Sequence, residues 1–323
     1  MSERGSGELA PGVWCLPLPF LINVYLVEHS AGWALIDAGA PWHFEKILAA
    51  ARARFGDAPP TGIFLTHGHP DHAGSALALS THWDAPIFAS EAELVFLTGK
   101  LDYPPGDPGV GGPTGFFARF MPSKGFDLGK RIAPLPPGLG ERPLVGSPKP
   151  GGQGAEHGQG DLPGWQVVPL PGHTPGQVGF WRESDRTLLA GDALTTRELN
   201  NWVRFLRGEE RFGMPPAAFT CDWFAVRKSI LKIGELAPNA LGAGHGRPMA
   251  GAKLKAKLGS FLEYSSIPRK GRYVAQPVQV LKNGTLDIPM TPPDPVEKAA
   301  KFLVLGAVLS LGAWWLVKNK RYG

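Results

Sequence analysis

The chain has 323 residues, and a hydrophobic content of 43% fits a globular protein with a large buried core in one or two domains. Its only cysteines, Cys15 and Cys221, exclude a disulfide framework and a CxxC redox or zinc-knuckle site, so a reducing compartment fits best. The net charge of +5 is modest for this length and gives no reason to expect nucleic acid as a partner.

Residues 1–8 are polar and lack the apolar run of a signal peptide. Residues 24–27 and 33–36 read as paired strands around a turn at 30–32. Residues 44–55 have helical spacing, with Ile47, Leu48 and Ala51 on one face. A strand at 63–66, a helix beginning at 73–79, a strand at 87–89 and a helix at 91–97 follow. Residues 102–160 are rich in Gly and Pro without a long periodic segment, and 138–160 reads as an exposed or disordered loop. Strands are then expected at 166–170, 178–181, 187–190 and 240–243, with helices around 223–236 and 253–262. Residues 268–296 are Pro-rich and read as a linker.

The C-terminal stretch differs from the rest. Residues 302–317 carry Ser310 as their only polar side chain, and residues 299–317 would span about 28 Å as a helix. Trp314 and Trp315 lie near one end, and basic residues flank both. This reads as a transmembrane tail anchor, with a buried or partner-packing helix as the alternative. The expected organisation is a catalytic domain at 1–265, a linker at 266–297 and the anchor at 298–323, with the catalytic domain in the cytoplasm.

The chemistry concentrates at strand ends. The run Thr66-His67-Gly68-His69-Pro70-Asp71-His72 directly follows an apolar strand and packs three imidazoles and a carboxylate together. Alternate residues of an extended loop can converge on one ion. His173, Asp192 and His245 also follow short apolar strands, each in a Gly-containing loop. A rigid sheet can bring such loops together from distant sequence. Singly these are ordinary turn residues. Together they are about the right number of ligands for two metal ions.

On these residues the chain resembles the metallo-β-lactamase-fold hydrolase superfamily, over roughly residues 9–250. The match is HxHxDH at 67–72, then His173, Asp192 and His245 in order, and the flanking PGHTPG and GDAL text is similar to the glyoxalase II-like and lactonase-like branch. The resemblance implies an α/β fold, an αββα sandwich with metals at one edge of the two sheets. It implies that His67, His69 and His173 bind one metal, that Asp71, His72 and His245 bind a second, and that Asp192 bridges them. The cofactor would be Zn²⁺, two per chain, with iron or manganese as alternatives. A metal-bound hydroxide would then cleave an ester, lactone or thioester of a small, partly apolar substrate, with Asp71 orienting the nucleophile or relaying a proton.

Some features depart from the relatives. A tyrosine found in some lactonases three residues after the bridging aspartate is Thr195 here, and the helical domain that binds glutathione in glyoxalase II is not evident after His245. A mononuclear-iron oxidoreductase of the persulfide dioxygenase type shares the ligand pattern and stays as the alternative. Phe116, Phe117, Phe120, Met121, Trp202, Phe205, Leu206, Phe212, Met214, Phe219 and Trp223 are candidate pocket walls, or else pack loops on the core. Arg197, Arg204, Arg207 and Arg211 could meet an anionic group or form a solvated face. Thr66 and Asp37 could support a ligand from behind, but turn or strand-end hydrogen bonds explain them more readily, and both stay outside the expected site.

Overall fold

In the computed structural model, which describes residues 7–121, 123–136, 139, 162–280 and 285–290, alternating side chains along the early strands set the layering. Strands β1 (Gly7–Ala10), β2 (Val13–Pro17), β3 (Asn23–His29), β4 (Gly32–Ile36), β5 (Ile63–Phe64), β6 (Ile87–Ala89) and β7 (Ile132–Pro134) lie side by side in chain order. Neighbours are antiparallel up to β4 and parallel from β4 onward. A parallel step needs a crossover. Helices α1 (Phe44–Phe55), α2 (Pro70–Ala73), α3 (Ala76–Trp83), α4 (Leu94–Leu97) and α5 (Gly112–Phe117) lie in those crossovers.

The second sheet runs β12-β11-β10-β9-β8. Its strands are β8 (Trp165–Pro169), β9 (Val178–Arg182), β10 (Thr187–Leu189), β11 (Ala240–Gly242) and β12 (Met249–Ala250). Helices α6 (Trp202–Arg207) and α7 (Trp223–Leu236) connect β10 to β11, and α8 (Gly251–Tyr264) and α9 (Arg272–Ala275) follow β12. A separate hairpin pairs β13 (Gln279–Val280) with β14 (Leu286–Asp287).

Successive strand residues point to opposite faces. On β3 and β4, Val24, Leu26, Trp33 and Leu35 join Ile47 and Ala51 of α1 and Leu79 of α3 in one apolar cluster. The alternate residues Tyr25, Val27, Ala34 and Ile36 instead meet Val167, Val178 and Phe180 of the second sheet. Phe64 stacks on Phe88 with centroids 5.2 Å apart and meets Phe180 edge-on at 6.1 Å, which ties the sheets together. Beyond the second sheet, Val226, Ile230 and Ile233 of α7 pack with Leu254 and Leu258 of α8. The order is helices, sheet, sheet, helices, which is the αββα sandwich expected. Helix α7 begins where Asp222 accepts the N–H groups of Phe224 and Ala225, both at 2.9 Å. Such a cap is worth about 1 kcal/mol.

The structure corrects several element boundaries. The helix expected from residue 73 is two pieces, because Ser75 leaves helical geometry and its hydroxyl donates to the Ala40 carbonyl at 2.6 Å. The helix expected at 91–97 is a 3-10 turn, Glu91–Glu93, followed by α4. The Gly- and Pro-rich stretch contains α5, whose six residues are too few to show a period. The start of the expected linker is packed rather than strung out. Tyr273 is buried, its hydroxyl donates to the Pro105 carbonyl at 2.6 Å, and Val274 and Val278 lie against the second core. Most of 138–160 and all of 298–323 lie outside the described residues. Among the described residues no helix is long and apolar enough to cross a membrane, and the apolar run 299–317 is not among them.

Candidate metal centre

The topology explains why distant residues meet. Strands β4 and β5 are parallel, as are β10 and β11, and β8 runs in the same direction as β10 because both are antiparallel to β9. Their carboxyl ends therefore open at common edges. Asp37 follows β4, His67 follows β5, His173 follows β8, Asp192 follows β10 and His245 follows β11. Pro70 opens α2, which carries Asp71 and His72 back over the sheet edge.

All seven expected residues come together. Potential ligand atoms fall into three overlapping groups, each with its members within 4.8 Å: His67, His69 and His173; His67, His72 and Asp192; and Asp71, His72 and His245. His69 Nδ1 is 3.0 Å from His173 Nε2. Asp192 Oδ2 is 3.1 Å from His245 Nε2 and 3.6 Å from His173 Nε2, so it stands between the groups. Asp71 Oδ2 is 3.2 Å from His245 Nε2. The backbone at residue 244 must pass close to the centre. A Cβ there would lie 2.1 Å from Asp192 Oδ1, so only glycine fits.

Three imidazoles are oriented from behind, by Asp37 and Thr66, which the sequence suggests as supports but not as part of the site, and by Thr220, which it does not suggest. Asp37 is buried and accepts the Thr66 N–H at 2.8 Å, the Thr66 hydroxyl at 2.8 Å and His72 Nδ1–H at 2.8 Å. With its proton on Asp37, the Thr66 oxygen accepts from His67 Nδ1, 3.1 Å away. Thr220 donates to the Pro216 carbonyl at 2.9 Å and so accepts from His173 Nδ1 at 3.1 Å. These bonds place a proton on each Nδ1 and leave each Nε2 as the atom aimed into the centre, free to bind an ion once it carries no proton of its own. Asn23 holds the His245 loop by donating to the Ala243 carbonyl at 2.9 Å and the Gly246 carbonyl at 2.5 Å.

The electrostatics divide along the same line. Burial holds His67 and His173 well below the usual imidazole range and pushes His69 down to about 4. Burial also disfavours the charged form of His72 and His245, but carboxylates outweigh it. Asp192, Asp37 and Asp71 raise His72, and Asp192 and Asp71 bring His245 up to about 10. Asp192 stays well below the carboxylate range despite its burial, because His245 and His72 face it. The carboxylates at this end demand positive charge.

The residues fit a metal ion. His67 Nε2, His72 Nε2 and Asp192 Oδ1 are buried and make no hydrogen bond among the described residues. Buried polar atoms that converge without hydrogen-bond partners are costly, and a cation bound among them, displacing any proton on His72 Nε2, would satisfy all three. Imidazole and carboxylate donors suit a divalent transition ion.

The expected walls divide. Phe212 and Trp223 belong to the second core, whereas Phe219 lies edge-on to His69 at 6.2 Å. Phe116, Phe117, Phe120, Met121, Trp202 and Leu206 are exposed, and Phe116 contacts Trp202 at 5.9 Å. The arginines are engaged with neighbours. Arg204 lies 3.8 Å from Glu198, Arg207 and Arg211 each lie 4.0 Å from Glu209, and Arg197 donates to the Phe205 carbonyl at 3.1 Å. The Thr195 hydroxyl is turned to the Arg197 carbonyl at 2.7 Å.

Residues 17–245 match the family model described as the metallo-beta-lactamase superfamily, a span that ends on the last residue of the cluster. A Bacillus subtilis (strain 168) protein named "Probable metallo-hydrolase YflN" is 35% identical over 264 residues, 79% of this chain and 92% of that one. The hydroxyacylglutathione hydrolase GloC of Haemophilus influenzae is 28% identical over 132 residues, 41% of this chain and 49% of that one. The crystal structure of a metallo-beta-lactamase family protein from Thermus thermophilus superposes with a TM-score of 0.47 at 20% identity, over 80% of each chain.

Proposed function

We propose, for a chain that belongs to the metallo-beta-lactamase superfamily, hydrolysis of an ester, lactone or thioester at a two-metal centre. The observation that carries this reading is the set of three overlapping ligand groups, with buried and unpaired donor atoms at their meeting point. His67, His69 and His173 would hold one ion, Asp71, His72 and His245 the other, and Asp192 would reach both. Zinc suits this donor set. When bound, two such ions supply Lewis acidity, which brings a water's pKa near neutral and polarises a carbonyl.

The chain's own residues do the remaining work. Asp37 and Thr220 fix the imidazoles so that they need not reorient during the reaction. Asp71 has a side chain 35% exposed, so it is the carboxylate that faces incoming substrate. With Oδ2 turned to His245, its other oxygen would orient the attacking water and take up its proton, and the leaving group would receive that proton. Substrate enters past Phe219, and the exposed rings of Phe116 and Trp202 favour an apolar acyl portion. The Haemophilus influenzae relative is named a hydroxyacylglutathione hydrolase, which supports acyl hydrolysis as the reaction class.

Metal analysis of purified protein alongside a panel of esters, lactones, thioesters and phosphodiesters tests the proposal. Two zinc ions per chain with turnover of an acyl substrate is the expected outcome. One iron per chain with oxygen uptake on a persulfide would replace this reading with an oxidoreductase. Membrane attachment through 299–317 is a second part of the proposal and rests on composition alone. Sedimentation with membranes after an alkaline wash, lost on truncation after residue 290, is the expected result.

A further inference from the structure

The most deeply buried carboxylate near the centre belongs to none of the ligand groups. Glu93 has no exposed surface and ends the 3-10 turn that leads into α4. One of its oxygens, Oε2, accepts the Gly68 N–H at 3.0 Å and the Tyr103 hydroxyl. The other, Oε1, accepts the Gly176 N–H at 2.9 Å. Gly68 sits between His67 and His69, and Gly176 lies three residues past His173. A single side chain thus joins the loop after β5 in one sheet to the loop after β8 in the other. Ser90 reinforces the second attachment by donating to the Gly176 carbonyl at 2.5 Å. The loops come close enough that a Cβ at Gly68 would lie 2.3 Å from the Tyr103 oxygen, and one at Gly176 would lie 2.8 Å from Glu93 Cγ.

We propose that Glu93, backed by Tyr103, is a positioning residue that sets the separation of His67 and His69 from His173, and so tunes one of the two metal sites selectively. The proposal rests on the two-metal reading above. Its physical basis is acceptor count. The Gly68 N–H and the Tyr103 hydroxyl donate to one oxygen of Glu93 and the Gly176 N–H to the other, which a carboxylate, an acceptor at both ends, can satisfy together. Glutamine has the same shape but one acceptor oxygen. Its NH₂ would face either the Gly68 or the Gly176 N–H, donor against donor, and one loop would move away. The Tyr103 ring transmits the same constraint, since its centroid is 4.8 Å from that of His69. The hydrogen bonds of Glu93 reach none of Asp71, His72 and His245, so the second group keeps supports that Glu93 does not touch, Asp37 and Asn23.

The test is titration of the full-length, metal-stripped protein with Zn²⁺ and, separately, with Co²⁺, whose visible bands report ligand geometry. Glu93→Gln should weaken one of the two binding steps by about 10–100-fold and leave the other within a few-fold, with altered bands for the weakened site. Tyr103→Phe should do the same to a smaller extent, about 3–10-fold. In a His245→Ala background, which removes a ligand of the other group, Glu93→Gln should weaken the remaining tight site. Equal weakening of both steps, or unchanged affinities and bands, would overturn the proposal. If Glu93→Gln does not fold, Tyr103→Phe decides by the same criteria. Wild-type protein run in parallel separates the two ideas: no uptake of metal there would sink the metal centre itself, whereas normal wild-type loading with unaffected variants would sink only the clamp.

Discussion

The His67, His69 and His173 group and the Asp71, His72 and His245 group share Asp192 between them but are supported in different ways. The first is all imidazole, kept neutral by burial, and held from beneath by backbone N–H groups fixed on Glu93. The second is crowded with carboxylates, which draw positive charge onto His72 and His245, and it is held through the side chain of Asp37 and the Asn23 brace. One end is organised by position, the other by charge. The first group should therefore respond to changes that move its loops, and the second to changes that remove charge.

The largest expected effect comes from the residue common to both. Asp192→Asn should cost hydrolysis about 10³-fold or more and weaken both ions, because Lewis-acid stabilisation worth several kcal/mol depends on them. His69→Ala should abolish hydrolysis as well, but through the first group alone. Initial-rate assays with metal analysis check both, and a His69→Ala protein that kept its activity would end the mechanism. Next in size is metal removal. Ligand binding at about 1,000 times its Kd stabilises a fold by about 4 kcal/mol, so chelation should lower Tm by about 10 °C in a thermal melt. Asp37→Asn comes third, with a loss of about 10–100-fold in affinity for the ion of the second group and a smaller loss for the first, through Thr66 and His67, both read by titration. If it weakened only the first group, the division between the two ends would fail. The smallest effect is expected at the rim. Trp202→Ala should leave stability within about 0.5 kcal/mol by denaturant unfolding, while raising KM for apolar acyl substrates more than for acetyl esters.

Much of the architecture could be read directly from residue patterns. Helices α1 and α7 stand at the positions expected, because their apolar residues recur at helical spacing. The seven clustered residues were legible because histidine and aspartate at strand ends are hard to explain by packing. Their supports are legible only in part. Asp37 and Thr66 stand out as strand-end residues that could back a ligand, but a turn explains them more readily, and the role of Asp37 depends on Thr66 and His72, 29 and 35 positions away. Thr220 meets His173 across 47 residues, and Glu93 meets Gly176 across 83. Such partners share no local spacing, so no periodicity reveals them. The aromatic residues after Asp192 carried too little information for the opposite reason. Phe212, Trp223 and Trp202 have the same composition signal, and only tertiary packing sends two to the core and one to the surface.

The division of ligands between the two sheets has a consequence for assembly. His67, His69, Asp71 and His72 hang from the first β layer, and His173, Asp192 and His245 from the second, so neither layer holds a full coordination set. A bound ion would act as a rivet through the seam between them. Fragments ending before and beginning after the segment that links the layers would each chelate poorly, and recovery of tight binding on mixing would report that the two layers had docked.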